Sequence, residues 1–350
     1  MQLLSRNRPI VGLDIGSSSV KAVELRGAKN GIEVIHAALE PLASDTVVDG
    51  AIMDALSVSD SITKIFLEQK IKTKSVATSV SGHSVIVKKI PLPIMSEEEL
   101  DESIQWEAEQ HIPFDISDVN LDYQVLNAAS SSNTTEVLLV AVKKDKILNH
   151  TNVITQAGKT PVVVDIDAFA IQNAFETSYT PASNATVALL NIGASIMNII
   201  VTKGGTPLFT RDVSAGGNQF TDVLQKELNL SFEEAEQLKK GRSIAGVETT
   251  NITSLLQSVS EVLLLEIQKT FDFFRATSIG EHIQRIYVSG GCANVTGFLG
   301  LLQNKFSMPV ELLNPFKNIS VGKEIVSSYL EEISPSMAVA VGLALRSFDN

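Results

Sequence analysis

Asp14 ends a short apolar run, Ile10 to Leu13, and is followed by Gly16 and three small hydroxyl residues, Ser17, Ser18 and Ser19. A turn of this composition points backbone N–H groups and hydroxyls toward one place, which suits a phosphate. An acid at the end of the strand is placed to hold Mg²⁺ or its water shell. Val20 to Leu25 then alternates as a return strand should. The pattern recurs near mid-chain, from Val187 through Asn191, Gly193, Ala194 and Ser195, with Ile196 to Lys203 as the return strand. Laying Asp14 on Asn191 also brings Gly16 onto Gly193, Ser18 onto Ser195, Arg26 onto Lys203 and Gly27 onto Gly204. This is an internal duplication of a hairpin. Two related halves, each with a small-residue turn, suggest a nucleotide held between two lobes.

Two glycine pairs extend the pattern. Gly216-Gly217 leads into a helix predicted from Phe220 to Leu228, so a ligand can approach the positive end of the helix dipole. Gly290-Gly291 follows a strand from Ile286 and precedes a helix from Val295 to Phe306, leaving bare backbone against which a flat ring or a phosphate can lie. No G-x-x-x-x-G-K-[ST] motif occurs, and no G-x-G-x-x-G opens a helix after the first strand. The expected nucleotide site is therefore neither a P-loop nor a dinucleotide fold. Its phosphates lie between the two hairpins and its base near Gly290-Gly291.

The elements that must position these turns follow in order. Gly31 to Leu39 reads as a third strand, and Val48 to Gln69 as one helix with an irregular start, from Ile52, Leu56, Ile62, Ile65 and Phe66. Ser75 to Ser81 is a buried strand ending at Gly82-His83, with His83 a turn residue. Val85 to Ile90 is a strand stopped by Pro91-Leu92-Pro93. Ser96 and Glu99 form a capping box opening a helix to about His111 that carries Trp106, a core or interface anchor. Strands at Asn120–Asn127 and Val137–Val142 flank a polar loop, Ala128 to Thr135. A helix from Lys144 to Ala157 and a strand at Val162–Asp165 complete a βαβ-like unit. Asp167 reads as the N-cap of the helix ending near Glu176, with the orienting of an attacking water as its second reading. Thr180 to Asn184 links to the second lobe. There Ser231 caps a helix to Lys240, Ile252 to Arg275 is a long core helix, and Pro335 to Leu345 is a small-residue helix suited to close packing. The expected boundaries are 1–83 and 161–183 for lobe one, 84–160 for an inserted subdomain, 184–215 and 283–350 for lobe two, and 216–282 for its subdomain.

Composition narrows the function. Of 350 residues 44% are hydrophobic, enough for a large core, but only 5% are aromatic, so aliphatic side chains must fill it. A net charge of -12 gives no global field for nucleic acid. The single Cys292 excludes an internal disulfide and fits a reducing compartment. No apolar run is long enough to span a bilayer, the N-terminus is too short and polar for a signal peptide, and no basic amphipathic tail precedes Asn350. A cytoplasmic protein without direct membrane insertion is expected.

The order DIGSSSVKAVEL, VVDIDAFAIQNAF, LLNIGASIMNI, SAGGNQF, YVSGGCANVTGFLGLL and MAVAVGLAL resembles the actin/Hsp70/sugar-kinase superfamily. More closely it resembles the PilM family of type IV pilus assembly, relatives of the division protein FtsA. The resemblance covers essentially the whole chain, and DIGSSSVK and SEEELDESIQWEAEQHIPF are its most specific parts. It implies an α/β, actin-like two-lobed fold with duplicated RNase H-like domains and an FtsA-like inserted subdomain. It implies ATP and Mg²⁺, with Asp14, Gly16, Ser17, Ser18 and Lys21 in the first phosphate motif and Asp14 at the metal. Gly193 and Ala194 fall in the second phosphate motif, Gly217 at the helix start facing ribose and phosphates, Glu236 and Lys239 at the nucleoside, and Gly290 and Gly291 in the adenosine motif. Lys21 either contacts ligand or is a solvated surface lysine, and Glu236 with Lys239 is either a ligand pair or a surface pair.

At Asn191 the superfamily pattern usually has Asp. An amide there removes a charge that would hold metal or water, so ATP binding with weak or no hydrolysis is expected. The resemblance also implies capture of the N-terminal cytoplasmic peptide of PilN in a groove between lobe one and the insertion. That would make the chain part of a pilus inner-membrane assembly complex, at the membrane through its partner. A small-molecule kinase of the same superfamily is the rival, with only Asp165 and Asp167 as candidate bases. A polymer-forming, FtsA-like division protein is the third reading.

Overall fold

A computed structural model describes residues 8–29, 31–128, 134–180, 182, 184–247, 249–278 and 280–349. The expected loop at Ala128–Thr135 and the link at Thr180–Asn184 lie partly outside them.

The chain opens with β1 (Val11–Ile15), β2 (Ser19–Ala28) and β3 (Gly31–Pro41), an antiparallel meander in which Asp14 faces Lys21 across the β1–β2 turn. The segment expected as an irregular helix start is instead a hairpin, β4 (Val47–Val48) and β5 (Ala51–Ile52). Asp49-Gly50 forms its two-residue turn with φ of 47° and 73°, the left-handed pair that such a hairpin turn requires. Helix α1 (Ala55–Glu68) then starts at Asp54, whose side chain accepts from the Ser57 amide. Its buried face is Val58, Ile62, Ile65 and Phe66, the helical spacing seen in the sequence. Strand β6 (Ser75–Val80) returns parallel to β1.

The insertion follows. Strand β7 (Val85–Pro93) runs three residues past the expected stop at Ile90. Its prolines are tolerated because β7 is an edge strand, paired on one side only. Helix α2 (Glu97–Glu109) has the expected Ser96/Glu99 capping box. Strands β8 (Val119–Ala128) and β9 (Thr134–Lys143) complete a three-stranded sheet in the order β7-β9-β8. Leu100, Ile104 and Ala108 of α2 pack on Ile90, Val137 and Leu139 beneath them.

Helix α3 (Lys144–Gln156) ends the insertion earlier than expected. Its Val153 and Ile154 join the lobe-one core with Ile62, Ile65 and Phe66. Strand β10 (Thr160–Ile166) pairs with β6, not with β9, so the two strands flanking α3 belong to different sheets and no βαβ unit forms. Helix α4 (Asp167–Ser178) crosses toward the second lobe.

Lobe two repeats the meander as β11 (Thr186–Ile192), β12 (Met197–Lys203) and β13 (Thr206–Val213). Asn191 pairs with Asn198 at the register position of Asp14 and Lys21. Helices α5 (Asn218–Leu228), α6 (Phe232–Lys239) and α7 (Thr249–Thr277) cover one side, with the expected Ser231/Glu234 capping box on α6. Strand β14 (Arg285–Ser289), helix α8 (Phe298–Phe306) and strand β15 (Val310–Leu312) close the sheet in the order β13-β12-β11-β14-β15. A 3-10 turn at Gly291–Asn294 follows β14, and α8 starts at Phe298, three residues after the expected Val295, because Gly297 in the left-handed region (φ 81°) precedes it.

The last segment departs from the expected grouping with lobe two. Strand β16 (Ser320–Val321) adds to β3, giving a first sheet ordered β10-β6-β1-β2-β3-β16. Helix α9 (Ser327–Ile333) and helix α10 (Ala338–Ala344) also pack on lobe one. The physical reason is close approach. A Cβ on Gly12 would lie 2.1 Å from the Ala340 carbonyl oxygen, and one on Gly342 would lie 1.8 Å from that of Ala170. Only glycine fits either place, so α10 seats directly on β1 and α4.

Gly342→Ala therefore overpacks this crossing and should cost about 2 kcal/mol or more. Gly300→Ala, in α8 with nothing within 4 Å of the added methyl, should stabilise by about 0.5–1 kcal/mol. Urea unfolding midpoints of the two variants check both signs.

Candidate functional site

Between the two hairpin turns lies a cleft of about 340 Å³. All twelve residues singled out from the sequence line it: Asp14, Gly16, Ser17, Ser18 and Lys21 from lobe one, and Gly193, Ala194, Gly217, Glu236, Lys239, Gly290 and Gly291 from lobe two. Gly50, Ser81, Asp167, Asn191, Asn198, Phe232 and Ser336 join them.

Each turn is closed by one backbone bond, from the Gly16 amide to Ser19 (3.1 Å) and from the Gly193 amide to Ile196 (2.9 Å). The amides of Ser17, Ser18, Ala194 and Ser195 donate to no protein acceptor among the described residues. Two turns thus present uncommitted N–H groups to one cavity, the arrangement that takes an anion. The second turn is braced from below. The amides of Gly217 and Asn218 each donate at 2.9 Å to the carbonyls of Gly193 and Ala194. A Cβ on Gly216 would sit 2.5 Å from the Gly193 oxygen, so the glycine there is obligatory. Gly290 has φ of 89°, and its amide donates to the Pro335 carbonyl at 2.6 Å. At Gly291 an added Cβ would meet nothing nearer than Ser336 Oγ at 3.9 Å, so bare backbone faces the cavity there.

The charged side chains exclude the surface reading at two places. Lys21 is not a solvated surface lysine. Its ammonium donates to Asp14 at 2.9 Å, with both side chains only about a tenth exposed. Glu236 and Lys239 are not a surface pair. Lys239 is buried, donates to Thr221 Oγ1 at 2.9 Å and pairs with Glu236. In lobe two the equivalent of the Asp14–Lys21 ion pair is neutral. The Asn191 amide donates to Asn198 Oδ1 at 2.9 Å and accepts from Ser289 Oγ at 3.1 Å.

Asp167 departs from its expected capping role. Helix α4 begins at Asp167 itself, with no side-chain cap. The carboxylate turns into the cleft and accepts from Ser79 Oγ at 2.6 Å. Burial, then the nearby charge of Asp14, pushes its carboxyl up to about 6 despite the Ser79 and Ser81 hydrogen bonds. Asp165 is tied to Arg346, with Nε to Oδ2 at 2.9 Å, and does not line the cleft. Cys292 Sγ donates to the Gly193 carbonyl at 3.4 Å, and burial raises its thiol to about 12, so it packs rather than attacks. Among the described residues no group of three or more His, Cys, Asp and Glu side chains could hold a metal by itself.

The sequence reading missed several lining residues. Asn198 was within reach, since the alignment that lays Asp14 on Asn191 lays Lys21 on Asn198. Gly50 was hidden by the helical reading of its segment, although Asp-Gly between apolar residues is a hairpin signal. Phe232 and Ser336 carry no local signal; only the tertiary fold brings them in.

Duplicated hairpins facing each other across a cleft, each on its own sheet and joined by crossing helices, define an actin-like protein. Residues 12–348 match the family described as Type IV pilus assembly protein PilM, and the chain belongs to that family. The structure aligns with the solved PilM-PilN type IV pilus biogenesis complex at a TM-score of 0.87 and 28% identity, over 97% of this chain and 99% of that one. It aligns with the ethanolamine utilization protein EutJ from Carboxydothermus hydrogenoformans at a TM-score of 0.59 and 17% identity, over 96% of this chain and 89% of that one, a likeness of fold. The cell division protein FtsA of Staphylococcus epidermidis is 22% identical over 380 residues, 94% of this chain and 79% of that protein. No helix among the described residues is long and apolar enough to cross a membrane.

The raised Asp167 carboxyl sets a pH dependence. A folded-state value above the unfolded one gives stability that is full below about 4 and lost as pH rises through about 6. Asp167→Asn removes this loss. Relative to wild type the variant should gain up to about 3 kcal/mol between pH 4 and pH 7. A stability difference that stays flat across that range in urea titrations would show that Asp167 ionises normally.

Proposed function

We propose that this chain is an ATP-binding scaffold of the type IV pilus inner-membrane assembly complex, and that it captures the N-terminal cytoplasmic peptide of PilN. Family membership favours this reading over a small-molecule kinase or a polymer-forming division protein. The observation that carries the nucleotide half is the pair of turns with uncommitted amides facing one cavity.

In this reading Ser17, Ser18, Ala194 and Ser195 hold the phosphates through backbone N–H groups, and Gly193 shapes the second turn around them. Gly217 lets them approach the start of α5. Glu236 and Lys239 meet the nucleoside, and the adenine lies against Gly290-Gly291. Asp14 holds Mg²⁺, which neutralises phosphate charge when bound. The lack of a protein-only cage fits this, because Mg²⁺ is commonly held by one or two carboxylates, water and phosphate oxygens. Lys21, already beside Asp14, supplies a second positive charge.

Hydrolysis is weak or absent. A reacting water needs a base or an orienting acceptor, and lobe two offers the neutral Asn191–Asn198 pair. Asp167 is a cleft carboxylate placed to orient a water, and its raised protonation weakens it as a base below about pH 6.

The peptide groove lies where lobe one meets the insertion. Edge strand β10 leaves Val162 and Val164 about half and a third exposed. Val85 and Val87 of β7 share a second hollow with Ile166 at the end of β10. An open strand edge beside a hollow with valine and isoleucine in its wall is the chemistry that takes an extended peptide. Attachment to the membrane then comes through that partner from the cytoplasmic side.

Calorimetric titration with MgATP should show one saturable site, and Asp14→Ala should weaken it at least about ten-fold, some 1.4 kcal/mol. Steady-state turnover should stay near background; brisk turnover would overturn the hydrolysis part. Val162→Glu should abolish binding of a synthetic PilN N-terminal peptide and leave MgATP affinity unchanged. Unchanged peptide binding would move the groove elsewhere.

A further inference from the structure

The neutral pair in lobe two does something the ion pair in lobe one cannot. Lys21 donates to Asp14, and among the described residues no side-chain hydrogen bond runs onward from either. An asparagine both donates and accepts, so it passes a hydrogen bond on. Asn191 donates to Asn198 Oδ1 at 2.9 Å, and Asn198 donates to Asp212 Oδ1 at 2.8 Å. The other oxygen of Asp212 accepts from the Gly82 backbone amide at 2.6 Å. The direction of the chain is set by its end, where both oxygens of Asp212 accept, Oδ1 from the Asn198 amide and Oδ2 from the Gly82 N–H.

The two ends of this chain are in different places. Asn191 and Asn198 line the nucleotide cleft. Gly82 belongs to lobe one, has φ of 89°, and stands three residues before β7, where the insertion leaves the first sheet. Asp212 lines the second hollow together with Val85 and Val87, not the cleft. Three side chains therefore connect the phosphate end of the cleft to the root of the inserted subdomain, across the gap between the lobes.

We propose that Asn191, Asn198 and Asp212 form a relay by which phosphates in the cleft are read at the base of the insertion. The proposal rests on the nucleotide-binding reading above. One Nδ2 hydrogen of Asn191 is committed to Asn198, and the second is available to a phosphate oxygen. A phosphate that takes it fixes the orientation of both amides, and with them the carboxylate that holds Gly82. By linkage, whatever orders the strand after Gly82 must in turn favour the phosphate-bound arrangement to the same degree.

The test is amide hydrogen exchange over residues 82–87 of the full chain, without nucleotide and with saturating MgATP. In wild type MgATP should slow exchange there at least about five-fold. Asp212→Asn keeps the shape but sets donor against donor, and it should lose this protection while calorimetry still finds MgATP binding. Asn198→Ser breaks the same relay one residue earlier and should lose it too. His83→Ala removes a neighbouring contact between the lobes, His83 Nε2 to Ser214 Oγ at 3.0 Å, and should retain it. Equal exchange with and without MgATP in wild type overturns the relay, as does protection that survives in Asp212→Asn or vanishes in His83→Ala. Absence of MgATP binding to wild type in the calorimeter overturns the cleft reading itself, a result distinct from binding without protection.

Discussion

Three backbones meet near the middle of this fold with no side chain between them. Helix α10 lies on β1 at Gly12 and against α4 at Gly342, at distances no Cβ would allow. Packed interiors resist compression, so this contact fixes where β1 and α4 end relative to each other. Those ends carry Asp14 and Asp167, the two carboxylates on the lobe-one side of the cleft. The same helices carry a core that both lobes share. Ala170, Ile171 and Phe175 of α4 and Leu343 of α10 pack with Ala77 and Val80 on one side and Val187, Leu189 and Tyr287 on the other. One continuous apolar cluster thus joins the two lobes.

Duplication built two hairpins of the same geometry and left them with different chemistry. In lobe one the cross-strand pair is Asp14–Lys21, in lobe two Asn191–Asn198. An opposite-charge pair is self-contained and holds a local field near zero net charge. An amide pair carries no charge but has unspent donors and acceptors, which here reach Ser289 and Asp212. One half of the site is therefore suited to balancing charge and the other to recognising shape and transmitting it. The raised carboxyl of Asp167 belongs to the same balance, since it is partly buried and feels the charges of Asp14 and Asp212.

Much of this was legible in the residues. The turns at 14–18 and 191–195, Gly217 and the pair at 290–291 all contribute to one cleft, because glycine and small hydroxyls at strand ends answer a local demand for bare backbone. Capping boxes at Ser96 and Ser231 were readable for the same local reason. What failed depended on distance along the chain. Nothing near residue 320 says that its strand will pair with β3, and nothing in Asp167 distinguishes a helix cap from a cleft carboxylate until Ser79 is beside it. Pro91 and Pro93 read as a stop because edge position, which makes them harmless, is a property of the sheet and not of the strand. The hairpin at Asp49-Gly50 was the one local signal overridden by a helical pattern that begins only at Ala55.

Trp106 is the single tryptophan of the chain, and 72% of it is exposed on the outer face of α2. That excludes a place in the core. It also gives the molecule a natural optical label confined to one part. Indole emission responds to the polarity around the ring, so its colour reports on the insertion alone, with no second tryptophan in either lobe to blur the signal. Events in the cleft and events at the insertion can thus be told apart in the unmodified protein, the first by heat and the second by light.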